Sequence, residues 1–142
     1  ALSVLPTYHL SGDTIPPGSG PDVRRQRDVL LEALLEIPGL SLLGPNVNQR
    51  SPNHIAVLVG SAEGQPIPAR AMVRELARRG VACSSGSACR SGQRQDSSVL
   101  TAMNIPEQWR QSGLRFTLGP WLDDKTLMQV PDHVVAAQRA LS

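Results

Sequence analysis

Apolar residues recur at helical spacing between Asp22 and Ile37. Val23, Leu30, Leu31, Leu34 and Leu35 share one face, with arginines and acids opposite, which predicts an amphipathic helix. Pro21 suits its first turn and Asp22 its positive end, and Pro38-Gly39 stops it. A short strand over Leu40 to Leu43 is expected next, then a polar loop rich in Asn and Pro. His54 to Val59 is a continuous apolar run closed by Gly60, the pattern of a buried strand. Ser61 to Ile67 reads as loop. Pro68 to Arg79 carries Ala69, Met72, Val73, Leu76 and Ala77 on one face and predicts a second helix. Arg78 and Arg79 lie at its negative end and Gly80 just past it. Val81 to Cys83 predicts a short strand. Ser97 or Asp96 can cap a brief helix through Met103, after which Asn104 tolerates a left-handed turn. Leu114 to Leu118 alternates, with Leu114, Phe116 and Leu118 on one face and Arg115 and Thr117 on the other. From about Asp123 to Leu141 the pattern is helical, interrupted or restarted at Pro131. These elements predict an α+β two-layer domain: a small, mainly antiparallel sheet of three or four strands with helices packed on one face. No internal repeat is present.

Composition sets bounds on this picture. At 142 residues the chain suits one domain. Residues 1–21 hold the cluster Thr14-Ile15-Pro16-Pro17-Gly18-Ser19-Gly20-Pro21 and read as an extended Pro/Gly-rich arm, leaving 22–142 as the domain. Aromatics are 3 %, so the core must be aliphatic. A formal net charge of +2, without aromatic residues interleaved among the basic ones, gives no support to nucleic-acid binding. No basic segment followed by an apolar run opens the chain, and no run reaches membrane-spanning length. A cytoplasmic protein with no membrane partner is the expectation.

Candidate chemistry concentrates in Gly80-Val81-Ala82-Cys83-Ser84-Ser85-Gly86-Ser87-Ala88-Cys89-Arg90-Ser91-Gly92. Its latter part has no large apolar side chain with which to pack a core, and its glycines tolerate positive φ. Such a segment suits a mobile loop. Cys89 stands beside Arg90, and a neighbouring cation favours the reactive thiolate. Cys83 closes a predicted strand, so a buried, inert thiol is its expected role, with a redox pairing to Cys89 as the alternative. His9, His54 and His133 are far apart and have no ligand spacing to either cysteine, which leaves no zinc pattern. Lys125, the one lysine, reads as a solvated surface residue. An arginine at position 115 usually marks the solvated face of a strand.

Three ordered segments alter the weight of that last reading. Ser84-Ser85-Gly86-Ser87-Ala88-Cys89, Ser98-Val99-Leu100 and Leu114-Arg115-Phe116-Thr117-Leu118-Gly119 resemble the C-terminal domain of cysteine desulfurases, pyridoxal-phosphate enzymes of aminotransferase class V. The basic, leucine-rich helix from Arg24 to Leu34 and Ser51-Pro52-Asn53 before a strand are similar too, so the resemblance runs from about Arg24 to the C-terminus. It implies that Cys89 receives sulfur from L-cysteine as a persulfide and that Arg115 binds the substrate carboxylate. It also implies that Asn53 lies on the substrate side. Ala56 stands where family members often have a second Asn. The family's pyridoxal phosphate is held by a larger N-terminal domain, so no cofactor-binding residue is expected in this chain, and catalysis would need that domain. The implied partners are the pyridoxal-phosphate-bearing domain and a protein sulfur acceptor, as in iron–sulfur cluster assembly. The alternative is a freestanding, non-catalytic adaptor or redox-responsive regulator that keeps the fold for protein binding, with Cys83 and Cys89 as its switch.

Overall fold

The computed structural model describes residues 21–86, 97–119 and 121–142; of the arm expected over 1–21, residues 1–20 lie outside them, as do Cys89 and Arg90. In chain order the main elements are α1 (Pro21–Leu35), β1 (Leu40–Leu42), β2 (His54–Val59), α2 (Ala69–Arg78), β3 (Ser84–Ser85), α3 (Ser98–Ala102), β4 (Gly113–Thr117), α4 (Asp124–Leu127) and α5 (Val130–Leu141). Two 3-10 turns, Val47–Gln49 and Glu107–Trp109, were not predicted by the apolar pattern.

The sheet is antiparallel throughout, in the order β1-β2-β4-β3. Register sorts the side chains by face. Leu40 pairs with Val59, Leu42 with Val57, Ile55 with Phe116 and Val57 with Leu114. These apolar residues look toward Leu30, Leu31 and Leu34 of α1, Met72 and Leu76 of α2, and Val134 and Ala137 of α5, all buried in one aliphatic core. Each fully buried leucine is worth about 1.5–3 kcal/mol of transfer free energy. The alternation along β2 and β4 therefore sets which face the helices must cover. The two-layer α+β architecture is the expected one.

The helix ends follow local rules. Gly80 takes φ +81°, its N–H donates to Ala77 O, and the Val81 N–H donates to Leu76 O at 2.9 Å. That pair of bonds is a Schellman ending. It overturns the strand expected over Val81 to Cys83: the chain is still closing α2 there, and ladder pairing begins only at Ser84 and Ser85. Ser97 caps α3 by accepting from the Leu100 N–H, and Asn104 sits at φ +57°. Asp123 accepts from the Thr126 N–H to cap α4, and Pro131 falls in the first turn of α5.

One polar residue ties the layers together. The Gln138 side chain on α5 is buried, and its Nε2 donates to Pro38 O and to Gly60 O, both at 2.6 Å. Gly60 N–H in turn donates to Gly39 O. Gly39 has φ +87°, and a Cβ there would lie 2.3 Å from Ser61 O and 2.5 Å from Gly60 O. Only glycine lets the two loops approach this closely.

Candidate functional site

The face of the sheet away from α1, α2 and α5 carries the predicted substrate residue. Arg115 is the cross-strand partner of Ala56 on β2 and of Ser84 on β3, which places it in the interior of the sheet. It is half-buried, while Leu114 and Phe116 on either side point into the core. Among the described residues the Arg115 guanidinium has no hydrogen-bond or ion-pair partner. A guanidinium without a partner among the described residues can take an anionic ligand, and its planar fork suits a carboxylate.

His54 shares this face. It pairs directly with Thr117 and stands diagonally from Arg115. Partial burial lowers its pKa, and the charges of Arg115 and Arg50 lower it further. Arg50 is itself shifted down, by burial and then by Arg27. The field across this corner of the sheet is therefore positive, which holds His54 toward its neutral form and attracts anions.

Asn53 is positioned by a tight turn just before β2. Its Oδ1 accepts from Ser51 Oγ at 2.8 Å, and its carbonyl accepts from the Leu118 N–H at 2.8 Å. Ser51 O receives the Arg27 Nη1 at 3.1 Å and the His54 N–H at 3.3 Å. Arg27, only 1 % exposed, thus anchors the turn from α1. Its Nε lies 2.6 Å from Asp28 Oδ1, close enough for an ion pair but misaligned for a hydrogen bond. Asn53 and Arg115 are not brought together by any hydrogen bond among the described residues; Arg115 pairs three positions further along β2.

β3 leads from Arg115 toward the cysteine segment. Ser84 lies opposite Arg115, Ser85 opposite Leu114, and the Gly86 N–H donates to Gly113 O at 2.9 Å. On the far side of residues 87–96, Leu100 of α3 comes within 3.2 Å of the point where a Gly113 Cβ would stand. Gly86 and the Leu100 side chain thus both approach Gly113, two residues from Arg115. Cys83 carries a free thiol packed partly against the core, and burial pushes its pKa up to about 11. A raised pKa disfavours the thiolate form.

Sequence reasoning treated His54 as an ordinary strand residue and passed over Arg50 and Gly113. The signal for His54 was present: His54 and Ala56 alternate with Ile55 and Val57 and so must share the Arg115 face. Nothing local marks Arg50, whose guanidinium folds back onto the carbonyls of Leu43 and Pro45. Lys125 is exposed on α4, as expected. No group of three or more His, Cys, Asp or Glu able to hold a metal occurs among the described residues, and no described helix is long and apolar enough to cross a membrane.

Fold and site together define a small α+β domain that carries Arg115 on the face of its sheet away from α1, α2 and α5. No family model matches the chain. It is 37 % identical over 125 residues to the cysteine desulfurase of Enterobacter agglomerans, covering 84 % of this chain and 29 % of that protein. With the cysteine desulfurase of Cereibacter sphaeroides it shares 36 % identity, over 84 % of this chain and 30 % of the relative. The backbone matches a NifS-like protein from Rickettsia africae with a TM-score of 0.66 at 19 % identity, covering 82 % of this chain and 28 % of that one. It also matches the Escherichia coli cysteine desulfurase CsdA with a TM-score of 0.61 at 18 % identity, covering 84 % of this chain and 25 % of that one. At such identities the structural matches establish the fold. The chain is the counterpart of the C-terminal domain of cysteine desulfurases, and it spans about three-tenths of the length of the relatives it matches.

Proposed function

We propose that this domain is the sulfur-receiving part of a cysteine desulfurase. Cys89 takes sulfur from L-cysteine as a persulfide and delivers it to an acceptor protein, and Arg115 holds the carboxylate of the L-cysteine substrate. The observation that carries the reading is the pairing of Ser84 with Arg115. Cross-strand neighbours lie about 5 Å apart, and Cys89 is five positions on from Ser84, a reach of at most about 18 Å. That short reach supports pairing the thiol with the arginine that would orient its sulfur donor.

On this reading pyridoxal phosphate is held elsewhere than in this chain, since nothing around its single lysine suits the cofactor among the described residues. Lys125, the single lysine, is exposed on a four-residue helix and pairs with no acidic or aromatic cradle among the described residues. The cofactor's chemistry belongs to a separate domain. What this chain contributes is a carboxylate clamp and a thiolate acceptor, with Asn53 bordering the clamp. The acceptor protein belongs to a sulfur-delivery route such as iron–sulfur cluster assembly, in the cytoplasm.

Intact mass spectrometry tests this. The purified chain is incubated with L-cysteine and a catalytic amount of an active desulfurase, beside a Cys89→Ser variant and a sample without enzyme. The expected result is a gain of one sulfur atom, reversed by reductant and absent from the variant. No gain, with Cys89 still open to alkylation, overturns the reading and leaves the adaptor alternative in its place.

A further inference from the structure

The outer surface of the helical layer carries two charged rows of opposite sign. On α2, Ala69, Met72 and Leu76 are buried, and Arg70, Arg74 and Arg78 are exposed on the opposite side. Successive arginines are four residues apart, about 6 Å along the helix axis. Residues 69–79 hold four arginines and one glutamate, a formal +3 within a chain of net +2, so the rest of the chain is net negative. On α1 the buried side is Val23, Leu30, Leu31 and Leu34, and opposite it stand Asp28, Glu32 and Glu36. Glu36 keeps the helical spacing, because its N–H still donates to Glu32 O at 3.3 Å. Asp28 lies against Arg27, and Arg78 against Glu75 at 2.8 Å. Among the described residues Arg70, Arg74, Glu32 and Glu36 make no side-chain hydrogen bond or ion pair. α5 packs against both helices, and no ion pair among the described residues joins the two rows within one molecule.

We propose that this surface pairs two copies of the chain, the acidic row on α1 of one copy seating on the basic row on α2 of the other. Each copy carries both rows, so the contact forms twice and closes the pair. An antiparallel approach of the two helices sets Asp28, Glu32 and Glu36 opposite Arg78, Arg74 and Arg70. A guanidinium takes a carboxylate bidentately, which favours arginine in such a row. An exposed ion pair is weak alone, but here every pair occurs twice. Val29 and Leu35, each 38 % exposed on either side of the acidic row, add apolar area to the contact. The pair leaves the Arg115 face of each sheet uncovered, since both rows lie on the helical side of the domain. The inference goes beyond the sulfur-transfer reading and does not rest on it.

Sedimentation equilibrium of the whole 142-residue chain, under reducing conditions, tests the inference. At about 0.1 M salt, where charges act over about 10 Å, the mass should rise with concentration from 15.2 kDa toward twice that value. At about 1 M salt the Debye length is about 3 Å, and the dissociation constant should rise about tenfold or more. Two variants each reverse one row, Arg70→Glu/Arg74→Glu and Glu32→Arg/Glu36→Arg. All four positions are exposed, so the core is untouched, and circular dichroism checks that both variants fold. Each variant alone should stay monomeric where the native chain pairs. A one-to-one mixture of the two should pair again, because every row then meets its opposite. A native chain that stays monomeric at millimolar concentration in the lower salt overturns the proposal, and so does pairing that either variant retains or a mixture that fails to pair. Growth beyond two copies makes the contact an open, head-to-tail one and overturns the closed pair. Binding of polyglutamate without any pairing gives the α2 row to an acidic partner protein instead. Oligomeric state is read without L-cysteine, so pairing and the gain of sulfur at Cys89 succeed or fail separately.

Discussion

Replacing Gln138 by Met tests how much of the fold depends on one buried amide. Methionine nearly conserves the length and volume of the side chain, so no large cavity opens, but both donors vanish. Pro38 O and Gly60 O then lose the Nε2 that each approaches at 2.6 Å. An unsatisfied buried acceptor costs about 1–3 kcal/mol. The Gly60 contact is fully buried and the Pro38 contact only partly so, which places the second toward the lower end of that range. The summed loss is about 2–4 kcal/mol once the apolar gain from the thioether is set against it. For a domain of this size that corresponds to a fall in Tm of roughly 6–15 °C. Urea unfolding followed by circular dichroism and by tryptophan fluorescence reads the change. Trp109 is a suitable reporter, since a Cβ on Gly60 would stand 2.6 Å from its ring. Arg139→Met, exposed on the next position of α5, is the control and should stay within about 0.5 kcal/mol. If Gln138→Met unfolds at the same urea concentration as that control, the two carbonyls are satisfied without the amide, and the account of the clamp is wrong.

Further outcomes follow from the same geometry. Gly39→Ala should cost at least about 2 kcal/mol, from its positive φ and the two carbonyl oxygens it would strike, and should combine non-additively with Gln138→Met because Gln138 Nε2 would stand 2.9 Å from the new methyl; strict additivity in urea melts would contradict this. His54 should titrate below its ordinary value in an NMR pH series, since burial and then Arg115 and Arg50 oppose its charge, and Arg115→Gln should raise it; an unmoved His54 would mean that the two do not share a field. Because the folded pKa is the lower one, the unfolded chain takes the proton first, so stability should fall as pH drops through about 6.5, and His54→Gln should flatten that part of the profile. In a Cys89→Ser background Cys83 should alkylate far more slowly at pH 8 than a free thiol with the ordinary pKa of about 8.5; reaction at the ordinary rate would overturn its assignment as inert.

The apolar pattern carried most of the fold because each long element buries one face. The bounds of β2 coincide with the apolar run His54 to Val59, and α2 ends where Gly80 permits the reversal. The pattern was silent where side chains act at a distance. Gln138 sits on a helix in a position any polar residue could occupy, and its partners lie 78 and 100 residues away. The strand expected over Val81 to Cys83 was misplaced because the periodicity of three residues cannot reveal that the Val81 N–H is already bound to Leu76 O. Arg115 became a candidate through its resemblance to a known motif, and its lack of a partner among the described residues emerged only from the assembled sheet. The converse holds for His54, whose place beside Arg115 follows from strand alternation alone.

The Gly86 N–H and the Leu100 side chain, on either side of residues 87–96, both approach Gly113, two residues from Arg115. On the proposed reading a donor bound at Arg115 and the Cys89 thiol are held by one chain, so their encounter is intramolecular and governed by an effective concentration. Closure entropy rises only as the logarithm of length, about 0.6 kcal/mol for each doubling. The length of this segment is therefore free to vary at little thermodynamic cost, whereas its two anchors are not. On the proposed reading, reach toward acceptor proteins of different size can change with that length while Arg115 stays where β4 holds it.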